Sequence, residues 1–494
     1  MSRWMFLGSL VVLTASLAVA SDNTGLRPIG GSSNSSSPRQ LLSLGSRVVF
    51  FADSEEHPIS LFGSDGSAAG TVRLSDTRFD LNYVAAGGGI VYLLERTDHG
   101  SRIWSSDGTP GGTRPLTARY LTMEVPVPVL VGPHAQRLYF IAIENDRTSV
   151  LWTSDGTPEG TVRLGQKLLV KSLFWFQGKV FFAGGTTASG LWKAGTTAGS
   201  LQLVKQTDSE FRQVPFGFQI VQDRLTFFTY SPDGLFLWVS DGTAAGTQRV
   251  KRVGSTVQAE FTTLQESVVH LQRLFFVTRQ TGEVKGSLWV SNGTAASTVK
   301  IGERNVHYIS TPAKYISAIP HPAKALLFPS VDEAHGLELW STRGTGPSSK
   351  LLKDFCLGTC SYLPSPHVVF KGRAYMLANT AGQGLELWWT NGTAAGTRIL
   401  ADICPGSCSG TGVVLAVLGD RLFLRATDGT TAHQLWISDG LDQLSKVADL
   451  EASPNGAALA GSLLLFPGFS EATGHELWRT DGTAQGTSLV LDLY

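Results

Sequence analysis

Five of the ten histidines in the chain recur beside acidic residues, in short polar segments that precede an apolar pair. Imidazole and carboxylate groups bind divalent metals, and imidazole also titrates near neutral pH. The segments therefore predict either a metal-binding or ligand-binding rim or, more simply, a series of solvated hairpin turns. Apart from this divalent metal we expect no cofactor, and no residue is singled out as catalytic. These histidines are His57, His99, His335, His433 and His475.

The four cysteines occur in two segments with the same spacing, Cys356-Leu-Gly-Thr-Cys360 and Cys404-Pro-Gly-Ser-Cys408. In an exported protein such pairs favour disulfides, and each pair here would close a tight turn that contains glycine. The expected bonds join Cys356 to Cys360 and Cys404 to Cys408, although two pairs permit three connectivities. A zinc site is the alternative, and it is disfavoured because no histidine lies at ligand spacing beside either pair.

A third polar group is the recurring triplet Asp-Gly-Thr. In such a turn the aspartate accepts backbone N–H groups, glycine adopts a positive φ and threonine begins the next strand. A catalytic acid is needed once or twice, whereas this position is Asp or Asn in eight repeats, so we interpret it as structural. The residues are Asp65, Asp107, Asp155, Asp241, Asn292, Asn391, Asp439 and Asp481.

Each triplet follows an aromatic anchor, which is preceded by leucine in nearly every repeat. The anchors are 40 to 51 residues apart, about 46 on average, which is a period typical of propeller blades. Nine of the twelve tryptophans occupy this one column, and we expect it to form the repeated core. The anchors are Phe62, Trp104, Trp152, Trp192, Trp238, Trp289, Trp340, Trp388, Trp436 and Trp478.

These groups must be positioned by strands. Each repeat contains about four short runs rich in β-branched and aromatic residues, separated by turns such as Gln177-Gly178 and Gly419-Asp420. Adjacent apolar residues in a strand point to opposite faces, so pairs such as Leu387-Trp388 predict sheets buried on both sides. We therefore expect an all-β fold, a β-propeller of ten four-stranded repeats over residues 41–494. The absence of a linker favours one ring, and two smaller rings are the alternative.

The repeated motif resembles the ELWxxDGT repeat family of secreted, largely myxobacterial proteins. The first half is complete in Glu338-Leu-Trp, Glu386-Leu-Trp and Glu476-Leu-Trp, and the second half in Asp241-Gly-Thr. Departures are Phe62 for tryptophan, a fourth repeat without the aspartate, Arg343 for aspartate and Leu441 for threonine. The resemblance covers nearly all of the mature chain. It implies export and a propeller-like fold, and it implies no defined activity.

The N-terminus predicts export. An apolar run from Met5 to Ala20 follows one early arginine and ends in Ala18-Val19-Ala20, which indicates a Sec-type signal peptide over residues 1–20. An uncleaved anchor is the alternative. Residues 21–40 are rich in Ser, Gly and Asn and predict a flexible spacer. We expect a secreted, periplasmic or cell-surface protein with no membrane-spanning segment after cleavage.

The composition of the chain excludes some classes of binding partner. Lys plus Arg equals Asp plus Glu, at 40 each, so the chain lacks the basic excess of nucleic-acid binders. Nucleotide, metalloprotease and α/β-hydrolase motifs are also missing. We therefore expect a binding or scaffold protein of the cell surface or extracellular matrix, whose partner is a carbohydrate or a surface protein. A secreted glycan-active hydrolase or lyase, with two carboxylates at a channel mouth, is the alternative.

Overall fold

The computed structural model describes residues 35–493 except 55–58, 118–127, 131–136, 144–148, 166–168, 186–188, 208–213, 256–261, 284, 308–316, 319–324, 333, 356–364, 381, 431–432, 442 and 454–455. The expected signal peptide and most of the expected spacer lie outside these residues. Regular structure in the described part consists of forty β-strands. No described helix is long and apolar enough to cross a membrane.

The strands follow one another in sets of four, which we number 1 to 10 in chain order. Within each set the strands pair antiparallel in sequence order, so the third strand, which carries the motif aromatic residue, lies between the second and the fourth. The fourth strands of sets 6 and 9 also pair with the next set, near their C-terminal ends. Four-stranded antiparallel sheets of this kind are the blades of β-propellers. The predicted all-β, β-propeller class is confirmed at this level.

The chain divides into two compact units. One contains sets 2 to 5, within residues 77–257. Its strands are β5 Phe79–Gly87, β6 Ile90–Thr97, β7 Gly100–Ser106, β8 Arg114–Pro115, β9 Pro128–Leu130, β10 Leu138–Ile143, β11 Ser149–Ser154, β12 Val162–Arg163, β13 Leu169–Phe176, β14 Lys179–Gly185, β15 Gly190–Ala194, β16 Gln202–Gln206, β17 Phe216–Val221, β18 Arg224–Ser231, β19 Gly234–Ser240 and β20 Gln248–Gly254.

The other unit contains set 1 and sets 6 to 10. Its strands are β1 Arg39–Ser43, β2 Val48–Ala52, β3 Ser60–Ser64, β4 Val72–Ser75, β21 Thr262–His270, β22 Arg273–Gln280, β23 Lys285–Ser291, β24 Val299–His307, β25 Ser317–Ala318, β26 Leu326–Asp332, β27 Gly336–Thr342, β28 Lys350–Lys353, β29 Ser365–Phe370, β30 Arg373–Thr380, β31 Gly384–Thr390, β32 Thr397–Ala401, β33 Thr411–Leu418, β34 Arg421–Ala426, β35 Gln434–Ser438, β36 Leu444–Ala452, β37 Ala458–Ala460, β38 Leu463–Ser470, β39 Gly474–Thr480 and β40 Ser488–Leu491.

Apolar side chains of successive sets pack together within each unit. Tyr139 of set 3 packs with Phe182 of set 4, and in the other unit Phe50 of set 1 packs with Leu465 of set 10. The motif aromatic residue lies opposite a large apolar residue of the second strand. Trp238, for example, pairs with Phe227, and their ring centroids are 5.7 Å apart. Burial on both faces of the sheets explains the paired apolar residues in the sequence.

The aromatic column is not buried evenly. The buried members are Phe62, Trp238, Trp340 and Trp388, at 4–6% exposure. The half-buried members are Trp104, Trp152, Trp192, Trp289, Trp436 and Trp478. In most sets the register shifts where the fourth strand meets the motif leucine and aromatic residue, as at Leu387 and Trp388. This recurring β-bulge bends the fourth strand.

The expected spacer ends earlier than residue 40. β1 begins at Arg39, and Ser36 is fully buried. The boundary moves because Ser36 donates hydrogen bonds to the carboxylate of Glu476, a residue that is distant in sequence. A Ser-rich composition predicted flexibility, and a long-range contact outweighs it here.

Candidate functional site: the histidine hairpins and the motif carboxylates

The histidine segments connect the second and third strands of their sets. His57 lies outside the described residues. His99, His335, His433 and His475 lie in or beside the hairpins of sets 2, 7, 9 and 10. Among the described residues no group of three or more His, Cys, Asp or Glu side chains has a metal-binding arrangement. The metal-binding rim therefore stays a prediction, without a preformed ligand cluster in the described part.

His335 forms a pair with an acidic residue of its own hairpin. Its Nδ1 lies 2.9 and 3.0 Å from the two carboxylate oxygens of Asp332, which also accepts the backbone N–H of His335 at 2.7 Å. The hydrogen bond to Asp332 raises the pKa of His335. The carboxylate favours a proton on Nδ1 and so presents Nε2 as the second ring nitrogen. This arrangement suits one proton acceptor or one metal ligand.

His433 lies in a different electrostatic environment. Its pKa is lowered by burial first and by the positive charge of Arg425 second, whereas the carboxylate of Glu451 opposes them. Arg425 is itself half-buried and donates from Nε to the carbonyl oxygen of Ala452 at 2.8 Å. This environment therefore favours the neutral form of the His433 imidazole.

His99 and His475, the other two described histidines of these hairpins, are held through their backbones. The N–H of His475 donates to Ser35 Oγ at 2.9 Å, its carbonyl oxygen accepts the N–H of Ser37 at 3.0 Å, and its ring packs on Phe469. The N–H of His99 donates to Thr97 Oγ1 at 3.2 Å, and the residue is exposed. The sequence grouped these histidines by spacing, but the contacts of each lie within its own set or, for His475, also in the adjacent N-terminal segment.

The motif aspartates accept hydrogen bonds from their own turns. Asp481 Oδ1 accepts the N–H and the hydroxyl of Thr483, at 2.8 and 2.7 Å. The Thr483 hydroxyl accepts the N–H of Gly486 at 2.9 Å, and Thr480 Oγ1 accepts the N–H of Gly482 at 2.9 Å. The hydrogen bond from the Thr483 hydroxyl holds the pKa of Asp481 below its usual value. The carboxylate–N–H contact recurs at Asp65, Asp107, Asp155, Asp241 and Asp439.

The second glycine of the turn leaves space for the aspartate. A Cβ on Gly486 would lie 2.1 Å from Asp481 Oδ1. Three sets have serine at this position, and none of them has aspartate. In set 4, Gly195 replaces aspartate and the Ser200 hydroxyl accepts the N–H of Gly195 at 3.1 Å. In set 7, Arg343 replaces aspartate and the Ser348 hydroxyl accepts the N–H of Arg343 at 3.1 Å. In set 6 a serine hydroxyl accepts the N–H of Asn292 in the same way. In set 6 both polar groups are present, and the Ser297 hydroxyl donates to Asn292 Oδ1.

The first glycine of the turn contacts the preceding set. Gly482 has a φ of +90°, and its carbonyl oxygen accepts Nη1 of Arg421 from set 9 at 3.0 Å. Gly242 accepts Nζ of Lys193 from set 4 at 2.8 Å. The same contact to a basic side chain occurs at Gly66 and Gly440. The sequence predicted a turn here, and the contact between sets appears only in the structure.

Two glutamates of the repeated motif, Glu386 and Glu476, organise chain connections. Glu386 is fully buried and accepts the N–H groups of Ile403, Cys404 and Gly410 at 3.1, 3.3 and 2.8 Å. It thereby holds the loop closed by the disulfide between Cys404 and Cys408. This disulfide was expected, and Cys356 and Cys360 lie outside the described residues. Burial raises the pKa of Glu386, against these N–H groups.

Glu476 makes equivalent contacts to two segments that are far apart in sequence. It accepts the N–H of Ser36 at 2.8 Å and the N–H of Leu493 at 3.2 Å. Leu493 follows the fourth strand of set 10 as Ile403 follows that of set 8, and Ser36 precedes set 1 as Gly410 precedes set 9. Burial also raises the pKa of Glu476. The only sequence signal for this role was a charged residue directly before the apolar Leu477-Trp478 pair.

No protein-family model matches the chain, and no curated protein sequence is significantly similar to it. Solved structures show a distant likeness. A puromycin hydrolase is 11% identical, with a TM-score of 0.34 over 71% of this chain. An oligogalacturonate lyase in complex with manganese is 13% identical, with a TM-score of 0.35 over 61% of this chain and 92% of the lyase. The β-propeller domain of the Trilobed protease from Pyrococcus furiosus is 13% identical, with a TM-score of 0.31 over 65% of this chain and 97% of that domain. The chain spans 58% of the length of the puromycin hydrolase, and we draw no activity from these proteins.

Proposed function

We propose that this is an exported β-propeller protein, related to the ELWxxDGT repeat family, that acts as a binding or scaffold module of the cell surface or extracellular matrix. Its partner is an extracellular carbohydrate or a surface protein. The bonding of the motif's polar side chains carries this proposal. Asp481, Glu386 and Glu476 accept hydrogen bonds from backbone N–H groups, so the repeated acidic chemistry serves rigidity.

A rigid scaffold leaves recognition to its connecting segments and strand edges, where proteins commonly place binding residues. The hairpins that bear His99 and His335 are of this kind, because both residues are partly or fully exposed. Catalysis by a carboxylate pair would instead need acidic groups that do not stabilise turns.

The proposal is tested by co-sedimentation of mature protein, from Ser21 onward, with the surface polysaccharide of the producing cell and with its delipidated surface proteins. Retention by either fraction supports a binding module. Loss of retention in EDTA would add a metal to the site, and unchanged retention would remove the metal from the hypothesis. Release of soluble sugar without retention would contradict the proposal in favour of the glycan-active enzyme.

A further inference from the structure

A row of four side chains crosses the junction between sets 9 and 10. The end of β36 pairs with β35 of its own set and with β38 of set 10, and β38 pairs with β39, so four strands lie side by side there. One residue of each strand lies directly opposite its neighbours, and we call these residues the junction row. They are Gln434, Glu451, Phe469 and His475. Directly opposed residues project from the same face of a sheet, with Cβ atoms about 5 Å apart, so these side chains are neighbours.

The polar members of the junction row have unused hydrogen-bonding capacity. Gln434 is 3% exposed, and its buried Oε1 accepts no hydrogen bond from the described residues. The carboxylate of Glu451 and the imidazole of His475 also form no hydrogen bond or ion pair within the described part of the chain. A buried amide oxygen without a donor is unfavourable, and few such atoms occur in folded proteins. A ligand that donates hydrogen bonds would therefore find several acceptors along this row.

Phe469 places an apolar surface between these polar groups. Its ring is half-buried, and its centroid lies 4.9 Å from that of the His475 imidazole. Glu451 and His475 are half-buried as well, so all three side chains retain contact with solvent. The junction row is therefore a solvent-accessible strip in which a carboxylate and an imidazole flank one aromatic ring.

The pairing between neighbouring sets does not require these residue types. In the described part of the chain, a fourth strand also continues onto the next set where β24 of set 6 pairs with β26 of set 7. The residues at the equivalent positions of that junction are Ser287, Asn305, Val331 and Leu337. They include no acidic residue, no aromatic residue and no histidine. The same strand pairing thus forms without the chemistry of the junction row, which calls for another explanation.

The residue types of the junction row match the chemistry of a neutral sugar. The oxygen atoms of Gln434 and Glu451 can accept hydrogen bonds from sugar hydroxyls, and the Phe469 ring can pack on the apolar C–H face of a pyranose. Ligand sites commonly combine an aromatic surface with a few polar groups that fix orientation. An acidic sugar would bring its carboxylate towards that of Glu451, and like charges repel. The row crosses three strand spacings, about 14 Å, and so offers room for more than one sugar unit.

We propose that the junction row binds a neutral segment of an extracellular glycan. This inference rests on the proposed binding function and names its site and its ligand class. Gln434 and Glu451 accept hydrogen bonds from hydroxyl groups of the glycan, and one sugar ring packs on Phe469. The His475 imidazole, which lies against that ring, bonds to a further hydroxyl.

The test measures binding of the full mature chain to the surface polysaccharide of the producing cell, separated by anion exchange into a neutral and an acidic fraction. The row variant carries Glu451→Ala and Phe469→Leu. The matched control carries Asn305→Ala and Val331→Leu, at the equivalent positions of the other junction. A second variant, Gln434→Leu, removes the amide whose Oε1 has no partner among the described residues. Thermal melting of all variants establishes that they are folded.

We expect the row variant to weaken the apparent Kd for the neutral fraction about tenfold or more, because a hydrogen bond to a charged group and a ring contact are both lost. The control should change this Kd less than about threefold. Gln434→Leu should weaken binding without lowering the melting temperature, an outcome that a purely structural role of Gln434 does not predict.

Equal Kd values for the row variant and the control would overturn the inference, and so would binding of the acidic fraction alone. In either case, retention by any polysaccharide fraction or by surface proteins would leave the proposed function intact. Retention by none of these fractions would remove the inference and the proposed function together.

Discussion

The carboxylate of Glu476 accepts the backbone N–H of Ser36 across 440 residues of sequence, at 2.8 Å. The same carboxylate accepts the N–H of Leu493. Glu476 therefore joins the segments at the two ends of the described chain. Glu386 makes the equivalent contacts within one continuous loop. The first sheet is packed against the last set through this buried group and the apolar cluster around Phe50 and Leu465.

Removal of this carboxylate should weaken the packing of set 1. Glu476→Ala leaves buried N–H groups of Ser36 and Leu493 without their acceptor, and we expect a loss of about 3 kcal/mol in the free energy of unfolding. Urea denaturation measures the loss, and hydrogen exchange should show it first in residues 36–52. Glu283→Ala, at an exposed turn, is the control. A Glu476→Ala protein as stable as this control would contradict the assigned role.

The two buried glutamates should make the stability of the protein depend on pH in a defined direction. Burial raises the pKa of Glu386 and of Glu476 above the usual value of 4.5. The folded state then binds their protons more tightly than the unfolded state does. Their contribution is fully present below the unfolded pKa and is lost as pH rises through the folded pKa.

The measurement compares urea midpoints of the wild type and the Glu386→Gln/Glu476→Gln variant from pH 4 to pH 8. The motif aspartates have lowered pKa values and so contribute the opposite slope in acid. Subtracting the variant removes that background, because both proteins share it. We expect the difference, wild type minus variant, to become less favourable to the wild type as pH rises. A flat difference would contradict the pKa shifts.

The paired change at the turn predicts a compensating double substitution. Gly486→Ser should destabilise the protein because the new Cβ would meet the carboxylate of Asp481. Asp481→Asn in the same chain recreates the Asn–Ser combination of set 6 and should recover part of the loss. A double-mutant cycle by thermal unfolding should give a coupling of about 1 to 2 kcal/mol. Additive effects would show that the two positions are independent.

The glycine at the contact between sets should tolerate no side chain. Gly482→Ala adds a Cβ 2.6 Å from Arg421 Nη1 at a φ of +90°, so strain and a clash combine. Gly461→Ala is the matched control, because its φ is +60° and no atom lies within 4 Å of the added Cβ. We expect about 1 kcal/mol from backbone strain alone in the control and about 2 to 3 kcal/mol at Gly482. If chemical denaturation shows equal losses of unfolding free energy for Gly482→Ala and Gly461→Ala, the contact between the sets does not stabilise the protein.

The aromatic column should matter more than the exposed histidine hairpins. Trp388→Ala removes a side chain that is 4% exposed and packs edge-on against Phe355. We expect a loss of about 3 to 5 kcal/mol, as for other buried aromatic residues, and a change below about 0.5 kcal/mol for His99→Ala. Calorimetry of both variants checks the ranking, and an unchanged melting temperature for Trp388→Ala would refute it.

The sequence by itself determined the local chemistry of this protein. Period, apolar pairing and turn residues are short-range features, so they were sufficient to predict an all-β protein of four-stranded, propeller-type sheets. They also predicted the closed loop at Cys404 and Cys408. The interpretation of Asp481 as a turn residue needed no more than the spacing of Asp, Gly and Thr, and its hydrogen bonds are of that kind.

Tertiary structure alone decided which groups meet across the chain. The contact of Gly482 with Arg421 and the position of Ser36 on Glu476 depend on register and on packing between sets. Neither of these is fixed by neighbours in sequence, because a strand pattern specifies which face is buried but not which partner covers it. For the same reason the histidines, which share a position in the repeat, differ in environment: Asp332 raises the pKa of His335, and burial lowers the pKa of His433.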